Sequence, residues 1–198
     1  MDPRRPLTIA ALADRVRASA PRLGGTRLVC VDGPSGSGKT TFAGRLASGL
    51  GAEAVVVHLE DLYAGWTITG AVARLRAGVL RPLAEGRPGA FHRYDWTAER
   101  FAAGPTPVPV APVLVVEGCG SSPRALDPWV VLRVWIEAPA GLRAARGLAR
   151  DGGDQQPRWR RGQQTEAAEF AREGTRARAD LRVDGAARPP PGSVLPLP

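Results

Sequence analysis

The sequence predicts an α/β fold in which a five-stranded parallel sheet is covered by helices on both faces, giving three layers. Short apolar runs alternate along the 198 residues with segments of helical periodicity. These runs are nearly continuous in apolar residues, which is typical of parallel strands buried on both faces. No run is long enough to cross a bilayer, and the first residues do not lead into the apolar segment of a secretory signal. We therefore expect a single cytoplasmic domain over residues 1–185 without a membrane partner.

Each predicted element is marked by its own pattern. The first helix carries apolar residues at helical spacing and Thr8 as an N-cap, and the second is closed by Gly49 and Gly51. The strands are the five apolar runs, at 27–31, 54–59, 113–117, 130–136 and 179–183. The predicted helices cover about 7–20, 39–50, 71–80, 139–150 and 161–176.

Two proline-rich segments are predicted to lie outside these elements. Residues 104–112 are expected to form a connector, and residues 186–198, which have little to bury, are expected to form a disordered tail. The two cysteines, Cys30 and Cys119, are too few for a disulfide framework or a four-cysteine zinc site. We expect both to be small core residues.

The net charge of +8 rests almost entirely on arginine, because Lys39 is the only lysine among 27 basic residues. A chain rich in arginine, alanine, glycine and proline is typical of a GC-rich genome, so its charge is weak support for a nucleic-acid partner. The arginines are also spread along the sequence. We predict no specific binding of nucleic acid.

The lone lysine ends a glycine-rich motif that lies between a predicted strand and a predicted helix. Residues 33–40 fit the phosphate-binding pattern G-x-x-x-x-G-K-[ST], in which backbone N–H groups and a helix N-terminus converge on phosphates. Lys39 would reach the β- and γ-phosphates of ATP, and the Thr40 hydroxyl would bind Mg²⁺. The alternative is a glycine-rich turn with a surface lysine. The predicted nucleotide site consists of Gly33, Pro34, Ser35, Gly36, Ser37, Gly38, Lys39, Thr40 and Thr41.

The motif by itself indicates a nucleotide and leaves the reaction open. A GTPase is disfavoured, because the guanine-specifying N-K-x-D motif needs a second lysine. Two carboxylates, Glu60 and Asp61, follow the second predicted strand, at the sheet edge where ligands of open α/β folds bind. Either could accept the proton of an attacking hydroxyl, and either could instead form a turn or cap a helix.

Further candidates follow the third strand and the helix over 139–150. Glu117 ends the third strand and is suited to orient Mg²⁺ or its waters, although a strand-terminal surface acid would look the same. Arg143, Arg146 and Arg150 share one helical face and could clamp a transferring phosphoryl group, or form a solvated basic face. We expect residues 150–162 to form a short mobile lid that carries arginine to the phosphates.

Taken in order, these segments resemble the uridine kinase-like branch of phosphate-loop nucleoside and nucleotide kinases. Only the phosphate loop is highly specific, and the other segments gain weight from their order. The matching segments are 31–41, 60–63 with Gly65 and Trp66, 94–96, 116–118, 146–151 and 178–180.

The resemblance implies transfer of the ATP γ-phosphoryl group to a small hydroxyl-bearing acceptor, most simply a nucleoside such as uridine or cytidine. It implies Glu60, with Asp61 as the neighbouring candidate, as catalytic base, and Lys39, Arg146 and Arg150 as the groups on the phosphates. The implied acceptor site contains Tyr63, Trp66, Tyr94, Asp95, Trp96 and Arg143.

The sequence departs from the family pattern on the acceptor side. The base position holds glutamate rather than aspartate, and threonines follow Trp66 where an acid would hold ribose hydroxyls. The histidine expected soon after residues 94–96 has no counterpart. A kinase of another metabolite or of an antibiotic hydroxyl, and a nucleotide-binding protein that has lost transfer activity, are therefore the alternatives.

Overall fold

The computed structural model describes residues 5–152 and 156–197, leaving out the side chains of residues 151 and 156–160. Its centre is a five-stranded parallel sheet in the order β3-β6-β2-β7-β8, so the predicted fold class is confirmed. These strands are β2 Arg27–Asp32, β3 Ala54–His58, β6 Val113–Glu117, β7 Val130–Glu137 and β8 Leu181–Asp184.

The remaining elements pack around this sheet or extend from it. The helices are α1 Ile9–Ala18, α2 Lys39–Leu50, α3 Ala71–Leu75, α4 Arg81–Ala84, α5 Ala140–Asp151 and α6 Gln156–Glu173. The short strands outside the central sheet are β1 Leu7–Thr8, β4 Gly89–Asp95, β5 Arg100–Val108 and β9 Ser193–Val194.

Alternation along the central strands divides the core into two layers. Val29 and Val31 of β2 face the layer that contains Phe42 and Leu46 of α2, together with α1. Leu28 and Cys30 of the same strand face the opposite layer, which is built from α3, α4 and the β4–β5 hairpin. Successive strand residues point to opposite faces, so an unbroken apolar run fills both layers. Within the described ranges, no helix is both long enough and apolar enough to cross a membrane.

The predicted connector over 104–112 is wrong for most of its length. Residues 104–108 belong to β5, which pairs antiparallel with β4 to form a hairpin. Pro105 and Pro107 are tolerated because β5 is exposed and pairs with β4 alone. On the outer edge of such a two-stranded ribbon a missing N–H costs no hydrogen bond between strands.

The prediction of a disordered tail is also wrong for the residues described. Ser193 and Val194 pair with Thr8 and Leu7, and the Leu197 N–H donates to the Arg182 carbonyl at 2.8 Å. Val194 is buried against the α1 and α2 layer. The composition of this segment did not predict a strand, because a few backbone N–H donors and the one apolar side chain of Val194 are enough to bind it to the domain.

The predicted helix over 71–80 is present but changes its winding. After α3 the chain makes a wider π-type turn over residues 76–80 before α4, where Pro82 has no N–H to donate. Gly78 lies in that turn against β4, and a Cβ at this position would lie 2.3 Å from the Ala90 carbonyl oxygen. The close approach of helix and hairpin therefore requires glycine.

Gly78→Ala should lower the free energy of unfolding by about 1–3 kcal/mol, because the added methyl must push the hairpin away from the helix. Gly44→Ala is the matched control, since Gly44 is an exposed position of α2 where an added Cβ would meet open space. There alanine should stabilise by about 0.5–1 kcal/mol. Urea unfolding of both variants measures this difference, and equal effects would contradict the packing argument.

Candidate active site

The phosphate-binding motif forms the loop from β2 into α2, as predicted. Gly33 has φ +142°, and a Cβ there would lie 2.0 Å from the Ile136 carbonyl oxygen. Gly36 has φ +76°, and its Cβ would lie 2.5 Å from the Arg143 carbonyl oxygen. Both glycines therefore serve conformation and close packing at once. Lys39, the first residue of α2, donates from Nζ to the Pro34 carbonyl at 3.1 Å and so spans the loop.

Asp32 joins this loop to the segment after β6. Its Oδ1 accepts the N–H groups of Gly33 at 2.7 Å and Gly120 at 2.9 Å, and its Oδ2 accepts the Ser122 N–H at 2.9 Å. The carboxyl group is almost fully buried, and burial raises its pKa to about 6 even though the three N–H donors act to lower it. Asp32 falls within the matching segment 31–41, but no sequence pattern indicated a role for it.

Glu117 and Thr40 lie together beside the loop. The buried Glu117 Oε1 accepts the Thr40 hydroxyl at 3.1 Å and lies 2.6 Å from Nδ1 of His58. The hydrogen bond to Glu117 raises the pKa of His58. His58 and Glu117 meet because β3 and β6 place them opposite each other in register. Sequence analysis did not single out His58, which can be found only once the strand pairing is known.

The oxygen donors of Thr40 and Glu117 fit Mg²⁺. This ion is usually held by one or two protein oxygens together with substrate phosphates, and rarely by an all-protein cage. The part of the chain that the structure describes contains no group of three histidine, cysteine or acidic side chains that could hold a metal ion by themselves.

The two candidate base residues occupy the 3₁₀ turn Leu59–Leu62 that follows β3. Both line a cavity of about 610 Å³ that also reaches Lys39 and Thr40. Glu60 is exposed to this cavity. Asp61 accepts a hydrogen bond from Nε of Arg93 at 2.7 Å, so one of its two oxygens is already engaged.

The predicted acceptor aromatics divide between the cavity wall and its support. Trp66 and Trp96 line the cavity and contact each other edge to face, with ring centroids 5.7 Å apart. Tyr94 packs behind Trp96 at 5.2 Å and does not line the cavity. Tyr63 lines it but is largely buried, and its hydroxyl donates to the Cys119 carbonyl at 2.8 Å.

The other polar residue placed in the acceptor site, Asp95, ends β4 directly before the hairpin turn. Its Oδ1 accepts the N–H groups of Thr97 at 2.9 Å and Ala98 at 2.8 Å, and it is not among the residues that line the cavity. In this structure its carboxylate shapes the turn that carries Trp96.

The three arginines of α5 approach the phosphate loop differently. Arg143 donates to the carbonyls of Ala138 at 3.0 Å and Ser35 at 3.4 Å, which supports the loop from outside the main cavity. Arg146 donates to the Gly36 carbonyl at 3.1 Å and lines the cavity. Arg150 also lines it.

The predicted lid over 150–162 is described only in part. Residues 153–155 and the side chains of 151 and 156–160 are not described. Its two described ends, Arg150 and Gly162, both line the cavity.

Glu166 of α6 is the residue at this site that sequence analysis missed most clearly. It is largely buried, accepts the Ser35 N–H at 3.0 Å and also accepts the Ser35 hydroxyl. Gly162, Thr165 and Glu166 all line the cavity, at the i, i+3 and i+4 spacing of one helical face. That spacing was the only signal in the sequence. In this structure the Glu166 carboxylate accepts the hydrogen bond of a phosphate-loop N–H group, that of Ser35.

Solved structures that are similar to this chain include three that are named as kinases. A candidate uridine kinase from Bacillus stearothermophilus is 21% identical, with a TM-score of 0.64 over 88% of this chain and 96% of that chain. A candidate fructose transport system kinase from Silicibacter sp. TM1040 is 25% identical, with a TM-score of 0.63 over 89% and 98%. D-glycerate 3-kinase from Cryptococcus neoformans is 15% identical, with a TM-score of 0.56 over 89% and 92%.

These similarities confirm the predicted resemblance at the level of the fold, which is that of uridine kinase-like and related phosphate-loop kinases. No protein-family model matches the sequence, and no curated protein matches it significantly. The similar structures support a phosphotransferase, and their different acceptors leave the acceptor of this chain open.

Asp32→Ala should lower the free energy of unfolding by about 2–4 kcal/mol, because three buried N–H groups lose their acceptor. The folded state binds the Asp32 proton more tightly than the unfolded state does. The contribution of Asp32 to the free energy of unfolding of the wild type therefore falls as pH rises from about 4 to about 6. The loss caused by the variant should therefore be larger near pH 4 than at pH 7. Denaturant unfolding at both pH values measures it, with the exposed Asp14→Ala as control.

Proposed function

We propose that this protein is an ATP- and Mg²⁺-dependent kinase that phosphorylates a hydroxyl group of a small molecule, with a nucleoside as the first candidate acceptor. One observation carries the proposal. A single cavity joins the phosphate loop, with Lys39 and Thr40, to the acidic turn that holds Glu60 and to the indole rings of Trp66 and Trp96. Donor phosphates and a flat acceptor can therefore meet in one space.

The residues around the cavity suggest how transfer would proceed. The loop N–H groups and Lys39 would hold the donor phosphates, while Arg146 and Arg150 would face the charge that spreads over the transferring group. Glu60 would accept the proton as the acceptor oxygen bonds to the γ-phosphorus and the bond to the bridging oxygen breaks, releasing ADP. Thr40 and Glu117 would hold Mg²⁺, which supplies neutralising charge when bound.

The distribution of basic residues supports our further proposal that nucleic acid is not a partner. Many arginines form ion pairs within the chain, for example Arg17 with Glu53, Arg176 with Glu137, and Arg178 with Asp127. Others donate to carbonyls of the phosphate loop. The positive charge of these arginines is therefore engaged in local contacts within the chain, which leaves it less available to phosphates of a nucleic acid.

The test is a product-detected transfer assay with ATP and a panel of small hydroxyl compounds that includes nucleosides. Lys39→Met should abolish ATP binding or turnover, because the neutral side chain cannot hold the phosphates. Glu60→Gln should lower kcat by about 10²-fold or more and leave ATP affinity near normal. Full turnover in both variants would refute the assignment, and unchanged thermal unfolding serves as the folding control.

Glu166→Gln should tighten binding of ATP by about 3- to 10-fold, roughly 1 kcal/mol, because the phosphates no longer displace or repel a carboxylate at Ser35. Glu169→Gln is the matched control, since Glu169 is on the same helix and pairs with Arg172. Isothermal titration of ATP into both variants decides the point. Equal affinities in the wild type and in both variants would show that Glu166 does not compete with phosphate.

A further inference from the structure

Asp61 and Arg93 form an ion pair on the acceptor side of the cavity. Asp61 lies in the turn after β3 and Arg93 lies on β4, 32 residues further on, with Nε and Oδ1 2.7 Å apart. The Asp61 side chain is 14% exposed and that of Arg93 is 62% exposed, so the pair is anchored on its acidic side and open on its basic side. Both residues line the cavity together with Trp66 and Trp96.

The pair uses only part of its hydrogen-bonding capacity. Within the described part of the chain, Oδ2 of Asp61 and both terminal nitrogens of Arg93 make no hydrogen bond. A carboxylate oxygen that accepts and a guanidinium that donates therefore stand side by side at the cavity wall. Two adjacent hydroxyl groups match this arrangement, because one can donate to the carboxylate while its neighbour accepts from the guanidinium.

Charge favours a neutral partner for this pair. The two side chains cancel each other, so a neutral polyol can bind without breaking the ion pair. An acceptor with its own carboxylate or phosphate would compete with Asp61 for Arg93 and would also meet the nearby Glu60. The two indole rings beside the pair offer apolar faces for the carbon skeleton of a sugar or for a base.

Resting on the proposed kinase function, we infer that Asp61 and Arg93 are specificity-determining residues that bind a vicinal diol, so that the acceptor is a neutral sugar or a ribonucleoside. Asp61 is then a binding residue, and Glu60 alone is the base.

The test compares acceptors that differ by one hydroxyl. Phosphoryl transfer is measured with uridine and 2′-deoxyuridine, with D-ribose and 2-deoxy-D-ribose, and with D-glycerate as the anionic diol. The wild type should favour the diol member of its best pair by about tenfold or more in kcat/KM. In Arg93→Lys and Asp61→Asn that preference should fall to within about twofold, through a higher KM for the diol, while the KM for ATP stays near the wild-type value.

Arg100→Lys is the matched control, since Arg100 is an exposed arginine of the same hairpin that does not line the cavity. It should keep the wild-type preference. Transfer that ignores the missing hydroxyl, transfer to D-glycerate alone, or an unchanged preference in both variants would overturn the diol inference and leave the kinase intact. Transfer to none of the five compounds would overturn the inference as well, and only failure of the wild type across the wider acceptor panel would reject the kinase function.

Discussion

The candidate site depends on the buried carboxylate of Asp32. It lies at the end of the central strand β2 and binds backbone N–H groups on both sides of the sheet edge, at Gly33 on its own loop and at Gly120 and Ser122 after β6. The phosphate loop and the segment that carries Glu117 are therefore fixed relative to each other. This tie adds to the pairing of β2 with β6, which places Thr40, at the start of α2, beside Glu117, at the end of β6.

The topology explains why the cavity opens at this place. β2 lies between β6 and β7, and the chain runs from β2 to one side of the sheet through β3 and β6 and to the other side through β7 and β8. Loops that leave neighbouring strands in opposite directions create a crevice at the carboxyl edge, and ligands of open α/β sheets bind there. The charged side chains of Lys39, Glu117 and Glu166 line one part of this crevice, which therefore suits the polar, charged end of a ligand.

Sequence analysis succeeded where one local pattern decides the structure. The apolar runs located all five strands of the sheet, and the spacing of Gly33, Gly38 and Lys39 located the phosphate loop. It failed where a weak local signal is overruled by pairing with distant residues. The proline-rich β5 is a strand because β4 lies beside it, and Ser193–Val194 is a strand because Leu7–Thr8 lies beside it.

The same limit applied to the site residues. Glu166 is 131 residues from Ser35, and Arg93 is 32 residues from Asp61. At these separations no periodic pattern in the sequence could predict that the two residues of each pair are in contact. His58 was visible only as the residue before an acidic turn, and its contact with Glu117 follows from strand register. A local sequence pattern can identify a motif that binds a common type of ligand, such as phosphate. Which distant side chains contact that motif is determined by the tertiary fold.

The departures from the family pattern lie on the same side of the cavity as Arg93, which the sequence did not indicate. Glutamate at the base position and threonine after Trp66 both belong to the segment between β3 and α3, and Arg93 and Trp96 belong to the hairpin that packs on it. This side is held by apolar packing and by the close approach at Gly78, whereas the phosphate side is held by Asp32. Because the two supports are separate, acceptor recognition can change without disturbing the phosphate loop. The Asp61–Arg93 ion pair is a polar contact that joins the two elements of this side, the turn after β3 and the hairpin, so a change in either residue acts on both elements at once.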